Sequence, residues 1–148
     1  MAQKNQVETL AKKIFSLLAI PVDLTVAKQN EGWLISVKME NPALLIGFHG
    51  ETLTGLQLVL SLMVYRQLGE WVRLTVDVDG YLQRRREILE KMALTAAQRV
   101  RFSQKPYSLP PMNARERRII HLILADAPDV QTESQGEEPQ RGVVVQLK

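Results

Sequence analysis

The sequence predicts an α+β fold in two small domains, residues 1–79 and 80–148. Three observations carry that reading. Runs with apolar residues at helical spacing interleave with short runs of period-two alternation, so helices and strands share both halves. The first half reads helix, strand, strand, helix, helix, strand, and the second half does not repeat it. A chain of 148 residues, 45% apolar and 24% charged, has the composition of a folded chain of one ordinary domain or two small ones.

Residues 5–19 form the first predicted helix, with Val7, Leu10, Ala11, Ile14, Leu17 and Leu18 on its buried stripe and Pro21 beyond its end. Residues 22–28 alternate as a strand. Gln29-Asn-Glu-Gly32 supplies turn residues, and residues 33–39 alternate again, which predicts a β-hairpin. Asn41-Pro42 opens a short helix over 43–46 that glycines stop. A second helix covers 51–68, with Gly69 just past its end. It is apolar nearly all round, so it is expected to lie buried against the sheet. Residues 72–78 make a third strand, and Trp33 and Trp71 are expected to pack in or beside this sheet.

Asp79 reads as the N-cap of a long helix over 80–101, with Leu82, Leu89, Met92, Ala93, Ala96 and Val100 inward. Arg84 and Lys91 share its exposed face, with Arg99 nearby. A short strand at 107–109, a break at Pro110-Pro111, a helix after Asn113 and strands at 130–134 and 142–147 complete the chain. No Gly/Ser-rich linker separates the halves. The third strand runs straight into the long helix, so a restricted relative orientation is expected.

Composition narrows the function. No cysteine is present, which excludes disulfides, thiolate metal sites and cysteine nucleophiles and suits a reducing cytoplasm. The N-terminus is polar, and the longest uncharged apolar-rich run, residues 53–65, falls well short of the ~20 residues that span a bilayer. A soluble, cytoplasmic protein without membrane insertion is expected. Net charge is +3, but residues 80–125 hold ten basic and three acidic groups, whereas 126–148 hold two and five. That asymmetry suits a polyanionic partner, although a charge cluster also serves plain solubility. No Gly-x-Ser-x-Gly, phosphate-binding loop or dinucleotide fingerprint occurs, so no enzyme and no cofactor are expected. The two histidines, His49 and His121, lie far apart in sequence, so no metal site is expected. Asp77-Val-Asp79-Gly80 opens like a calcium loop but lacks the later ligands, and Glu137-Glu138 reads as a solvated pair in a turn.

Two strings carry chemistry. In Met112-Asn-Ala-Arg-Glu-Arg-Arg-Ile-Ile-His121, Asn113 is placed as N-cap with Glu116 positioned to reach back, as in a capping box. Ile119, Ile120, Leu122, Ile123 and Leu124 form an apolar arc. Arg117, Arg118 and His121 are expected on the opposite, solvated side, a guanidinium and an imidazole one turn apart that suit a phosphate. A merely solvated basic face is the other reading, and periodicity favours neither. The second string is Leu44-Leu-Ile-Gly47-Phe-His-Gly50-Glu-Thr-Leu53, a Gly-x-x-Gly between two helices. There a nucleic-acid backbone can come close and the N–H groups of the following helix face a phosphate.

Together with Tyr81-Leu-Gln-Arg-Arg-Arg86 and Thr132-Glu-Ser-Gln-Gly-Glu-Glu-Pro-x-Arg141-Gly-Val-Val-Val145, these strings resemble the bacterial Jag (SpoIIIJ-associated) family across residues 5–147. In that family a KH domain is followed by an R-three-H domain, named for its Arg-xxx-His motif. The resemblance implies a cytoplasmic protein that binds single-stranded RNA, or single-stranded DNA, without catalysis. It assigns backbone clamping to Gly47 and Gly50 and phosphate contact to Arg117 and His121. Many family members carry a further N-terminal domain and a long charged linker, which this sequence lacks, so functions tied to them are not carried over. KH loops usually hold a basic residue where this chain has Phe48-His49, so the second domain is expected to supply most of the affinity.

The resulting expectation is an RNA-binding regulator or chaperone. Ile46 and Leu53 would floor a base groove beside Gly47, Phe48, His49 and Gly50; Arg117, Arg118 and His121 would hold phosphates, flanked by Arg84, Lys91 and Arg115. The rival is an adaptor that docks an acidic or membrane-associated protein on the same surfaces.

Overall fold

A computed structural model describes residues 1–148, which divide into two compact units, 1–82 and 83–148. In the first, α1 (Ala2–Leu17) buries Val7, Ala11, Ile14 and Phe15. Leu17 and Leu18, expected inward, are exposed. The helix stops there, and Ala19 at φ 54° turns the chain so that the Ile20 N–H returns to the Phe15 carbonyl. The strands β1 (Asp23–Gln29) and β2 (Gly32–Lys38) form the hairpin, closed by Asn30 and Glu31 with Asn30 at φ 50°. β3 (Arg73–Val78) pairs parallel to β2, with Ile35 opposite Val76 and Val37 opposite Val78, giving the order β1-β2-β3.

Between β2 and β3 the chain forms α2 (Ala43–Ile46), a 3-10 turn (Phe48–Gly50) and α3 (Glu51–Leu68). Leu53, Leu56, Leu60 and Val64 of α3 join the core with Phe15, Ile35 and Val76. α3 packs against the sheet as expected, but its apolar residues outrun that contact: Leu58, Val59, Leu62 and Tyr65 are exposed. Within this unit α1, α2 and the sheet pack against α3, and Leu58, Val59 and Leu62 lie outside that packing. Trp71, just before β3, is exposed and stacks on Tyr65, ring centres 4.5 Å apart.

The long helix α4 is Tyr81–Ser103. Its first turn is capped from the strand, because Asp77 Oδ1 accepts the Leu82 N–H at 3.1 Å, while Asp79 at φ 50° and Gly80 make the connecting left-handed turn. The second unit continues with β4 (Tyr107–Ser108), α5 (Ala114–Leu124), β5 (Val130–Gln135) and β6 (Gly142–Leu147), and its sheet has the order β4-β6-β5, antiparallel throughout. Register pairs Thr132 with Val145 and Ser134 with Val143. Period-two alternation therefore puts Val130, Thr132 and Ser134 on the face where Val143 and Val145 meet the helices, and Gln131, Glu133 and Gln135 on the other. Leu89, Ala93, Ala97 and Val100 of α4 close the core with Ile120 and Leu124 of α5. The result is α+β in both units.

Candidate functional site

In the first unit the Gly-x-x-Gly string is a tight corner built on backbone conformation. Gly47 sits at φ 69°, ψ −173° and Gly50 at φ 82°, ψ 14°. A Cβ on Gly47 would lie 2.1 Å from Thr52 Oγ1, so the residue is fixed as glycine by its own neighbours. His49 is left-handed too, at φ 51°, and its ring stacks on Phe48 with centres 3.9 Å apart. Phe48 is 72% exposed and Leu44 of α2 is exposed too, so the corner presents an aromatic tip to solvent. Gly50 is the N-cap of α3, whose first turn has no side-chain cap. The positive end of this 18-residue helix thus carries no side-chain cap, and Glu51 stands in its first turn. Ile46 is half-buried. Leu53, expected in the groove floor, is instead 4% exposed and belongs to the core.

In the second unit α5 begins as expected, with Asn113 Oδ1 accepting the Glu116 N–H at 3.0 Å. The reciprocal half of the capping box is redirected. Glu116 receives the Arg85 guanidinium of α4 through Nε at 2.6 Å and Nη2 at 3.1 Å, a two-point ion pair with the carboxylate nearly buried.

The basic face does not lie where periodicity placed it. Arg117 is buried at 8% exposure, and its Nη1 donates to the Met112 carbonyl and to Glu138 Oε1, both at 2.7 Å. It thereby ties the segment before α5 to the β5–β6 loop, where Arg141 also donates to the Gly136 carbonyl. Glu138, read from sequence as solvated, is its partner. His121 bonds through Nδ1 to Thr132 Oγ1 at 2.6 Å and through Nε2 to Ser134 Oγ at 2.8 Å. On the helical wheel Arg117 and His121 flank Ile120 and Leu124 and overlie the sheet, whereas Arg118 points away beside Arg115 and Leu122. Leu122 is 63% exposed and leaves the predicted apolar arc. The structure thus brings Arg117 and His121 together as internal polar links and separates them from Arg118.

Burial, and then the neighbouring Arg117 charge, push the His121 imidazole below its ordinary value. The group is neutral in the fold at pH values where the unfolded chain, near 6.5, already binds a proton. Its contribution to stability is complete above that value and is lost as pH falls through it toward the folded one. Wild-type chain should therefore lose urea resistance more steeply than His121→Gln between pH about 7.5 and about 5.5. Parallel pH profiles would show that the Thr132 and Ser134 hydroxyls hold the charged ring equally well.

The other cations are distributed differently. Lys91, Arg99, Arg115 and Arg118 are exposed and lie outside every ion pair of the fold. Arg99 lies over the Tyr107 ring, 4.5 Å from its centre. Arg84 is exposed as well. No three His, Asp or Glu side chains gather as a metal site, and no helix is long and apolar enough to cross a membrane. Sequence reasoning missed Glu138, Arg85, Thr132 and Ser134 as partners. Alternation along 130–135 was the available signal for the two hydroxyls; no spacing rule announces the two ion pairs.

Residues 87–147 match the family model of the R-three-H domain. The RNA-binding protein KhpB of Clostridium symbiosum is 36% identical over 148 residues, covering 99% of this chain and 66% of that protein. KhpB of Bacillus subtilis (strain 168) is 32% identical over 146 residues, 97% of this chain and 70% of the relative. KhpB of Streptococcus pneumoniae (strain ATCC BAA-255 / R6) is 33% identical over 111 residues, 75% of this chain and 34% of the relative. The chain thus spans from about a third to 70% of the length of these relatives.

Proposed function

The chain belongs to the KhpB (Jag) family and contains its R-three-H domain, and on that premise we propose that it binds single-stranded RNA in the cytoplasm as a regulator or chaperone, without catalysis. The first unit is a KH domain in this reading. Its helix-strand-strand-helix-helix-strand order and the α3 N-terminus, which has no side-chain cap, behind the Gly47–Gly50 corner support that. There the corner takes a stretch of backbone, the α3 N–H groups face a phosphate, and Phe48 stacks on a base.

The single observation that carries the proposal for the second unit is the sorting of its cations into paired and unpaired sets. Arg85, Arg101, Arg117 and Arg141 are bonded within the fold, and His121 is held between two hydroxyls. Lys91, Arg99, Arg115 and Arg118 keep their charge outward with no carboxylate beside them. A phosphate that meets the second set displaces only water and counterions. The Arg-xxx-His pair then acts as a positioning element that fixes α5 and the β5–β6 loop, while its neighbours hold the strand.

Fluorescence anisotropy of the full chain with a short labelled oligoribonucleotide tests the reading. Binding should weaken linearly with the logarithm of salt, and an A-form RNA duplex should compete poorly. Absence of binding at low salt would overturn the proposal and favour the adaptor reading.

A further inference from the structure

The second unit holds a groove of about 370 Å³ between α4 and the free edge of β4. The geometry points to this groove as a seat for one unpaired base of the bound strand, with the flanking phosphates on Lys91 and Arg99. The inference rests on the RNA-binding reading above and adds where in this unit a base is held.

The floor is apolar, made by Met92 and Ala96 of α4 with Leu109 and Pro110. Lys91 and Arg99, two turns apart on α4, stand at its rim. Neither has an acidic partner. The Arg99 guanidinium is held over Tyr107, which restrains a side chain that would otherwise range freely. A guanidinium steadied on an aromatic ring can stack on a base from its other side. An apolar floor between two unpaired cations complements a flat heterocycle joined to two anionic groups. The volume is at the small end of ligand pockets, room for one ring system rather than a folded peptide.

The same edge argues against a peptide strand. Leu109 N–H bonds inward to the Val143 carbonyl, so alternation turns Pro106, Ser108 and Pro110 outward. Two of those three lack an N–H, so the edge cannot pair with an added strand.

Two measurements on the full chain test the seat. Thr95 lines the groove and is exposed, whereas Gln98, exposed on the same helix, does not line it. Thr95→Glu should weaken binding of a labelled single-stranded oligoribonucleotide about ten-fold, the order of one lost base stack plus a misplaced carboxylate. Gln98→Glu, with the same change in charge, should stay within about two-fold. Circular dichroism confirms that both variants fold. Photocrosslinking of a 4-thiouridine oligoribonucleotide should also label peptides from 88–99 and 107–110. Equal weakening by the two variants, or crosslinks only elsewhere while wild-type chain binds, overturns the seat and leaves the RNA reading standing. Failure of wild-type chain to bind any single strand overturns that reading, and the seat with it.

Discussion

Glu116→Ala is expected to destabilise the second unit by about 3–5 kcal/mol, the cost of leaving one member of a buried ion pair without its partner. The Glu116 carboxylate is 6% exposed and takes the Arg85 guanidinium at two points, 2.6 and 3.1 Å, across α4 and α5. Truncation removes the two-point contact from that guanidinium, which is only 17% exposed. It also removes an acid from the first turn of α5, where the helix dipole favours one. Replacing both partners by apolar side chains, Arg85→Met with Glu116→Leu, should recover most of the loss because no charge is then left buried. Urea unfolding followed by circular dichroism reads both. A loss well under 1 kcal/mol in the single variant would show that the pair is solvated.

Gly47→Ala should be the most damaging small change in the first unit. Its φ of 69° with ψ of −173° lies in a region that only glycine occupies readily, at a cost of about 1–3 kcal/mol for another residue. The added carbon would also meet Thr52 Oγ1 at 2.1 Å and its Cβ at 2.7 Å. Because Thr52 lies in the first turn of α3 and its backbone N is also met at 3.0 Å, the corner must rebuild rather than shift a side chain. Gly50→Ala is the contrast: the residue is left-handed at φ 82°, ψ 14°, and the added carbon would meet the edge of the Tyr81 ring at 3.1 Å rather than Thr52, so a smaller loss is expected. Both tryptophans lie in this unit, so their fluorescence in urea compares the variants. Equal midpoints for Gly47→Ala and wild type would mean that the corner is soft.

Most of the architecture was legible because it rests on local rules. The hairpin followed from alternation around Asn30, α3 from its span between Gly50 and Gly69, and the start of α5 from Asn113. What failed depended on partners distant in sequence. The Glu116 carboxylate was diverted by Arg85, 31 residues away, and Arg117 by Glu138, 21 residues away. A helical wheel counts Arg117 as polar and sends it to solvent. A long side chain at the edge of the buried arc reaches instead for a carbonyl and a carboxylate. The exposed apolar face of α3 was equally invisible, since composition reports how much of a helix is apolar but not how much neighbouring surface exists to cover it.

The central claim is that unpaired cations hold the strand while paired ones hold the fold. Its most direct test is the salt dependence of binding to a short single-stranded oligoribonucleotide by wild-type chain and by Arg115→Ala with Arg118→Ala, whose side chains are exposed and outside every ion pair. Two lost phosphate contacts should flatten the slope of log affinity against log salt by about 1.4, with folding unchanged. An identical slope and affinity in the double variant would contradict the account.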